Sequence, residues 1–555
     1  MSVTRRLSDS NQFRVPVMAR QRVVLVNPPA LAIVEPWYDR PDWGRIGLAY
    51  LAGWLKRDPD VEVVVVDAKL ERLSFEQVQA RVAALEADVV GFTAFTNEIK
   101  PAAYTASLIK DLLPKAVTVI GGVHVTALPR QTIEEFSSFD VAVIGEGERT
   151  LEELCSAIRR GEDWSDVAGL VYRSDSATPD GLVQTIARPR MLDQDLLPLP
   201  AWDLFPPMKS FWLQTVRGCP FNCVFCMNHN GRIARARSVQ NVVAEIRWLL
   251  DEHGIGDLRF GDELFTVDMD RSRELMEALI ESGLSERIRW DCQTHVRFVD
   301  ESLLRLMKQA GCYRVELGIE TGDEEKLRSL GKGTNLKMIL AAAEAARRAG
   351  LSFGTFFIIG QPDENRDSIR KTVDLAVRMN PDLPMIGLMC PYPGTEVGRM
   401  AAQGEGGYRL VTTDWDEYNK QVGGAMEFAG MTRNQLEWIQ LRAYLAVYVK
   451  NWRFWGFVKF AWEFRTGAWQ ALKKALFRRS MSDTLPRPED YKSRLSGGRA
   501  ATFEDVVSSR IDWEEVQKSE LKRGKSAARE ATAASDQPSS VTVADGVPDV
   551  SGPGE

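Results

Sequence analysis

Twice along this chain, short runs rich in valine and isoleucine alternate with amphipathic stretches of helical period. That alternation limits the folds open to it. From Val23 the runs are VVLVN, VEVVVVDA, ADVVGFTAF, AVTVIGG and DVAVIGE, with helical candidates near 47–57, 74–85, 97–113 and 129–136. Nearly continuous apolar runs separated by helices describe parallel strands buried on both faces. The expectation is an α/β chain that opens, after a polar extension over 1–20, with a doubly wound parallel-sheet domain over 21–160. The second series begins at Phe211 and runs FWLQTVR, LRFGDE, IRWDCQT, YRVELGIE, FGTFFIIG and MIGLMC, with helices fitting 238–253, 268–282, 300–310, 336–349 and 365–378. Six β/α units fall two short of a full barrel. The reading is a partial (βα)6 barrel over 209–400, whose chemistry belongs at the C-terminal strand ends.

Between the two series, 161–208 reads as a linker, with a small hairpin in GLVYRSDSATPDGLVQTIARPR and an extended strap in LLPLPAWDLFPP. Residues 401–520 read as a helical C-terminal cap rich in tryptophan, and 521–555 as a disordered tail of Ala, Ser, Asp and Pro.

At 555 residues the chain exceeds what one core usually serves. A net charge of −7 gives no sign of a nucleic-acid partner, which would favour a basic domain. The first 22 residues are polar and arginine-rich, and no uninterrupted apolar run reaches 18 residues. The expected compartment is therefore cytoplasmic and reducing. Seven cysteines in such a compartment argue for thiols or metal ligands over a disulfide framework.

Residues 217–229 read RGCPFNCVFCMNH, which spaces the thiols as Cys219-x3-Cys223-x2-Cys226 in a loop just after a strand. Three thiolates so close in sequence can converge on one iron–sulfur cluster. With no fourth cysteine nearby, one iron would stay open to a small molecule. A structural zinc site wants four protein ligands, and His229 is the only local candidate for the fourth.

This loop resembles the signature of the radical S-adenosylmethionine superfamily. In that family the open iron of a 4Fe–4S cluster chelates the amino and carboxylate groups of S-adenosylmethionine, and reduction yields a 5′-deoxyadenosyl radical that abstracts hydrogen. By that resemblance Phe225 packs against the adenine; a plain core aromatic is the competing reading. FGDELFTVD resembles the second-strand motif that contacts the S-adenosylmethionine amine, through Asp262 and Glu263, with helix capping as the alternative. ELGIETG, with Glu320, resembles the fourth-strand motif near the ribose and methionine portions. FIIGQPDE and CPYPGTE resemble the fifth- and sixth-strand ends that line the adenine pocket.

The upstream domain carries VIGGVHVTALP and VIGEGERTL. The pair Gly121–Gly122 after a strand lets backbone approach a bulky ligand closely. Placed before a radical S-adenosylmethionine domain, it resembles the cobalamin-binding domain of the cobalamin-dependent class. Domains that ligate cobalt from below carry Asp-x-His-x-x-Gly, whereas this chain has Asp67-Ala68-Lys69-Leu70-Glu71-Arg72. His124, on the glycine turn, suits a wall of the nucleotide-tail pocket. Cobalamin is thus expected to bind with no protein histidine on cobalt; a domain that has lost the cofactor is the alternative.

Cys155, Cys292, Cys312 and Cys390 are scattered singly and read as buried thiols. His295, with Arg297, stands at the third barrel strand's end, either reaching the active site or held as a structural histidine. The stretch 441–479 holds one acidic residue, Glu463, against nine basic ones, interleaved with Trp452, Trp455, Trp462 and Trp469. It reads either as a cap whose aromatics pack on the barrel mouth or as a peripheral membrane contact.

The combined expectation is a cobalamin-dependent radical S-adenosylmethionine C-methyltransferase acting on an unactivated carbon of a small molecule or lipid. Its cofactors would be a 4Fe–4S cluster, S-adenosylmethionine and cobalamin, with an external electron donor such as flavodoxin or ferredoxin. A non-methylating enzyme of the same architecture, such as a tetrapyrrole ring cyclase, is one alternative. A non-catalytic cobalamin or redox sensor is another. No set of residues marks the catalytic groups beyond the cluster, or the substrate.

Overall fold

A computed structural model describes residues 20–31, 36–174, 181–420, 424–463, 465, 469 and 485–509. Apart from Arg20, the extension over 1–20 lies outside these residues, as do the tail over 521–555 and part of 441–479.

The first sheet has seven strands: β1 (Gln21–Asn27), β2 (Val61–Asp67), β3 (Val89–Thr93), β4 (Val117–Gly121), β5 (Val141–Val143), β6 (Leu170–Arg173) and β7 (Leu182–Gln184). Their order is β2-β1-β3-β4-β5-β6-β7, with β1 to β5 parallel and β6 and β7 added antiparallel. Val23, Val24, Val26, Val89, Val90 and Ile120 are wholly buried, as strands covered on both faces require. The chain order reverses beside β1, and the carboxyl ends of β1 and β3 there are where ligands of such sheets bind. The hairpin expected in the linker is β6–β7, and it lengthens this sheet. The strap after it lies against the helix Ile46–Leu55, where Ala201 N donates to Ala49 O at 2.9 Å and Trp202 is buried.

The second sheet has six parallel strands: β8 (Phe211–Leu213), β11 (Asp257–Phe260), β12 (Arg289–Thr294), β13 (Cys312–Glu320), β14 (Ser352–Ile359) and β15 (Leu383–Leu388), in the order β15-β14-β13-β12-β11-β8. Two short antiparallel strands, β9 (Val216–Arg217) and β10 (Arg235–Ala236), bracket the cysteine loop. The intervening helices start where side chains cap free backbone N–H groups: Ser238, Asp268, Asp300, Asn335 and Asn365 each accept from the first turn.

Beyond β15 the chain forms the hairpin β16 (Tyr408–Leu410) and β17 (Met426–Phe428), then the helices Arg433–Lys450 and Phe454–Glu463. The first of these helices covers the edge strand β15: Tyr444 accepts from Ile386 N at 2.9 Å and Gln440 donates to Ile386 O at 2.7 Å. An open edge strand is thereby closed to other chains. The segment 485–509 returns to the first sheet's helices, where Asp490 accepts from the Tyr104 hydroxyl at 2.6 Å, and ends with Ser509 accepting from Gly394 N at 2.9 Å.

Candidate active site

The cysteine loop starts from Gly218, at φ +93, where a Cβ would collide with the Ile233 carbonyl. Cys219 N donates to Gly231 O at 3.0 Å, and Asn228, itself at φ 43, donates to Cys219 O at 2.7 Å. These bonds fold the loop back on itself. Phe221 stacks on His295 with ring centroids 4.3 Å apart, and Val224 N donates to Leu330 O at 3.3 Å. The loop is thus held from both flanks.

All seven cysteines are free thiols. Burial pushes Cys219 up to about 11 and Cys223 up to about 12; the Cys226 sulfur raises both further, and the Cys219 sulfur adds to the rise at Cys223. Cys226 is exposed. Arg232 is buried within electrostatic reach of all three sulfurs. Among the described residues no three Cys, His, Asp or Glu side chains already stand together as a formed metal site. The donor set nevertheless suits an iron–sulfur cluster: three unpaired thiols on one loop, a neighbouring cation, and no fourth cysteine. Cys155, Cys292, Cys312 and Cys390 are buried, and none of them lines the cavity described below.

The two carboxylates at the end of β11 have different roles. Asp262 is wholly buried and accepts from Thr215 N at 2.6 Å, Val216 N at 2.8 Å and the Thr215 hydroxyl at 2.8 Å. Burial pushes its carboxyl up to about 7 against those bonds. It clamps the turn that leads into the cysteine loop and, like the three loop cysteines, Phe225 and Glu320, does not line the cavity described below. Glu263 does line the cavity, between Gly218 N, which donates to it at 3.3 Å, and the Asn230 amide. Neither caps the following helix; Asp268 does.

Glu320 ends β13 at φ 70, beyond a register break at Gly318. A left-handed glutamate is a strained choice held by its surroundings. The hold is Lys332, which pairs with the Glu320 carboxylate and donates to Gly318 O at 2.8 Å. A Cβ on Gly318 would strike this lysine. His295 is structural: Nδ1 accepts from Arg297 N at 3.1 Å, leaving Nε2 to donate to Lys332 O at 3.2 Å, and burial lowers the ring to about 3. Phe225 is half-buried against the core.

A cavity of about 1110 Å³ runs from the carboxyl ends of β1, β3 and β4 into the second sheet's inner face. Gly121, Gly122 and Gly145 form part of its wall, with His229 and Asn230 from the cysteine loop and Gln293, Glu316 and Met385 from the second sheet. A Cβ on Gly47 or Gly145 would meet no atom within 4 Å, so the bare backbone there fronts open space. Gly122 sits at φ 107, where a Cβ would stand 2.7 Å from Ala94 O. A wide cavity walled by bare glycine backbone fits a flat, bulky cofactor.

At the cavity's end by β1 and β2, Lys69 occupies the position that a cobalt-ligating histidine would take. Its ammonium pairs with Glu98 and lies 4.1 Å from the Tyr38 ring centroid. Burial alone would raise Glu98, but Arg45, at 2.7 Å, and Lys69 hold it down to about 2. His124 itself does not line the cavity, though Val123 and Thr126 beside it do. The short helix Val123–Ala127 turns it out of the cavity onto Trp415, ring centroids 5.0 Å apart, where burial lowers it to about 3.

Sequence reasoning had no access to Lys332, Arg232 or the Arg45–Glu98–Lys69 cluster. Lys69 stands at the histidine position of the cobalt-ligating pattern but its pairing with Glu98 is not written there, and the others lie in no motif.

The family model for the radical SAM superfamily matches residues 213–376, and that for the B12 binding domain matches 40–155. An uncharacterized methyltransferase of Pyrococcus horikoshii is 30% identical over 442 residues, covering 78% of this chain and 94% of the relative. The chain belongs to the cobalamin-dependent radical S-adenosylmethionine family. An anaerobic magnesium-protoporphyrin IX monomethyl ester cyclase of Rubrivivax gelatinosus is 32% identical over 394 residues, covering 68% of this chain and 69% of that one. In fold, the chain is similar to the cobalamin-dependent S-adenosylmethionine radical enzyme OxsB (TM-score 0.64, 16% identity, 92% of this chain and 81% of that one). It is also similar to the methyltransferase TsrM of Kitasatospora setae (TM-score 0.61, 19% identity, 77% and 89%). As a member of this family the protein is an enzyme that uses a 4Fe–4S cluster, S-adenosylmethionine and cobalamin.

Proposed function

We propose that the enzyme transfers a methyl group to an unactivated carbon of a small molecule or lipid, with Cys219, Cys223 and Cys226 holding the cluster through their sulfurs. Glu263, kept in place by Gly218 N and Asn230, offers its carboxylate to the amine of S-adenosylmethionine. Glu320 and Phe225 belong to the same binding region, the first fixed by Lys332. Gly121 and Gly122 lie against the cobalamin. Bound there, these groups supply a hydrogen-abstracting radical and a transferable methyl. The chain's own part is to hold, orient and shield. Asp262 locks the turn before Cys219, and His295 braces the loop through Phe221.

The observation that carries this reading is that one cavity is shared by the two sheets. It has glycine backbone at one end and cysteine-loop residues in its wall. His229, on that loop, is the one histidine lining it among the described residues, and the motif position at which other cobalamin domains would carry a cobalt-ligating histidine holds a lysine already paired with Glu98. Cobalt left without a protein nitrogen suits methyl transfer. An external one-electron donor such as flavodoxin or ferredoxin completes the reading.

The test uses the reconstituted enzyme, its substrate and methyl-labelled S-adenosylmethionine. Methyl transfer gives 5′-deoxyadenosine and S-adenosylhomocysteine in near-equal amounts, with label in the product. Deoxyadenosine without S-adenosylhomocysteine, and an unlabelled product, would instead support a ring-closing or rearranging reaction.

A further inference from the structure

The helix Phe454–Glu463 has two unlike faces. Inward, Phe460 stacks on Tyr444 with ring centroids 4.5 Å apart, and Phe457 lies 6.0 Å from Tyr448. Outward, at helical spacing, stand Trp455, Val458, Lys459 and Trp462, with Trp455 85% and Trp462 70% exposed. Large exposed apolar side chains normally occur singly. Here they share one face, and Trp452, 82% exposed, joins them from the preceding turn.

That turn is held firmly. Trp452 has φ 57, an uncommon conformation for a bulky residue. Asn451 donates to Val377 O at 3.0 Å, and Arg453 donates to Asp382 O at 2.8 Å. The fold therefore fixes in place a helix that presents indoles to solvent. Lys450, Lys459 and Arg465 accompany the indoles, and Arg465 lies 4.9 Å from the Trp462 ring centroid. In a chain of net charge −7, the stretch 441–479 carries nine basic residues and one acidic. Among the described residues no helix is long and apolar enough to cross a membrane.

We propose that this face docks on an anionic lipid surface, the indoles seated at the headgroup level and the lysines and arginines on lipid phosphates. Basic, aromatic, amphipathic helices bind such surfaces through buried apolar area together with charge attraction. Lys459 is exposed and also lines the cavity, so the cavity reaches the surface beside this helix. Docking would set that opening against the lipid. Nothing in the proposal depends on the reaction type.

The experiment is co-sedimentation of the full chain with phosphatidylcholine vesicles, with and without phosphatidylglycerol, together with tryptophan emission and light scattering. The wild type should bind the anionic vesicles, shift its emission to the blue and weaken as salt rises. Trp455→Ser/Trp462→Ser should bind more than about tenfold more weakly, since each buried indole contributes to affinity. Circular dichroism and 5′-deoxyadenosine release should match the wild type, confirming that the variant is folded. No binding to anionic vesicles at low salt would overturn the proposal, as would equal binding by the double variant. A wild-type dimer that the substitutions turn into a monomer would assign the face to a second copy of the chain instead.

Discussion

Arg217, the residue that leads into the cysteine loop, donates from Nη2 to Glu148 of the first sheet's helix Glu148–Arg160 at 2.7 Å, with both side chains buried. Glu146 stands 3.7 Å from the same guanidinium and 2.6 Å from Arg235 on the loop's return strand. Two arginines bracketing the cysteine loop thus anchor on two acids at the carboxyl end of the first sheet.

Removing one partner of such a pair strands a buried charge, whereas replacing both does not. Glu148→Gln should lower unfolding stability by about 3 kcal/mol. Arg217→Met/Glu148→Leu should recover most of that loss. Denaturant titration measures both. A single variant as stable as the wild type would show that the pair does not join the two sheets.

Glu135 accepts from the Trp415 indole at 2.9 Å, and burial pushes its carboxyl from 4.5 up to about 7. Below pH 4.5 the group is protonated whether the chain is folded or not, and costs nothing. As pH rises from there, the unfolded chain ionises first, so the folded state loses ground until about pH 7. Above that the cost is full, about 3 kcal/mol at most. Glu135→Gln keeps an acceptor for Trp415 and carries no charge. It should raise the thermal midpoint at pH 8 and leave it unchanged near pH 4. An equal effect at both pH values would contradict this account of the carboxyl.

The strands were legible in the sequence because parallel strands buried on both faces read as unbroken apolar runs. Val61–Asp67 and Ser352–Ile359 fall where VEVVVVDA and FGTFFIIG predict them. The cysteine loop was legible from spacing alone. What sequence could not supply was long-range pairing. His124 follows two glycines and so reads as a pocket wall, yet its neighbour is Trp415, 291 positions away. Asp262 and Glu263 are adjacent and chemically alike. Only the path of the turn beyond β11 decides that one clamps backbone and the other meets the cavity. Lys332 has no motif, and its role exists only because Gly318 leaves room for it.

Lys69 is paired and His124 lies outside the cavity, so no histidine from the first sheet's domain is placed to bind cobalt. Electron paramagnetic resonance of the anaerobically purified enzyme in its cob(II)alamin state should lack nitrogen superhyperfine splitting. Splitting that changes when the protein alone carries 15N, and that survives His229→Ala, would contradict the assignment of Lys69.

The central claim is that Cys219, Cys223 and Cys226 together hold the cluster that cleaves S-adenosylmethionine. The direct measurement is iron content and 5′-deoxyadenosine release for the alanine variant at each position, with Cys155→Ala as the control. Cys155 is buried on the helix Glu148–Arg160, outside the cysteine loop in sequence. Each of the three loop variants should lose cluster absorption and deoxyadenosine formation, while Cys155→Ala keeps both. A loop variant with full iron and wild-type cleavage would contradict the claim.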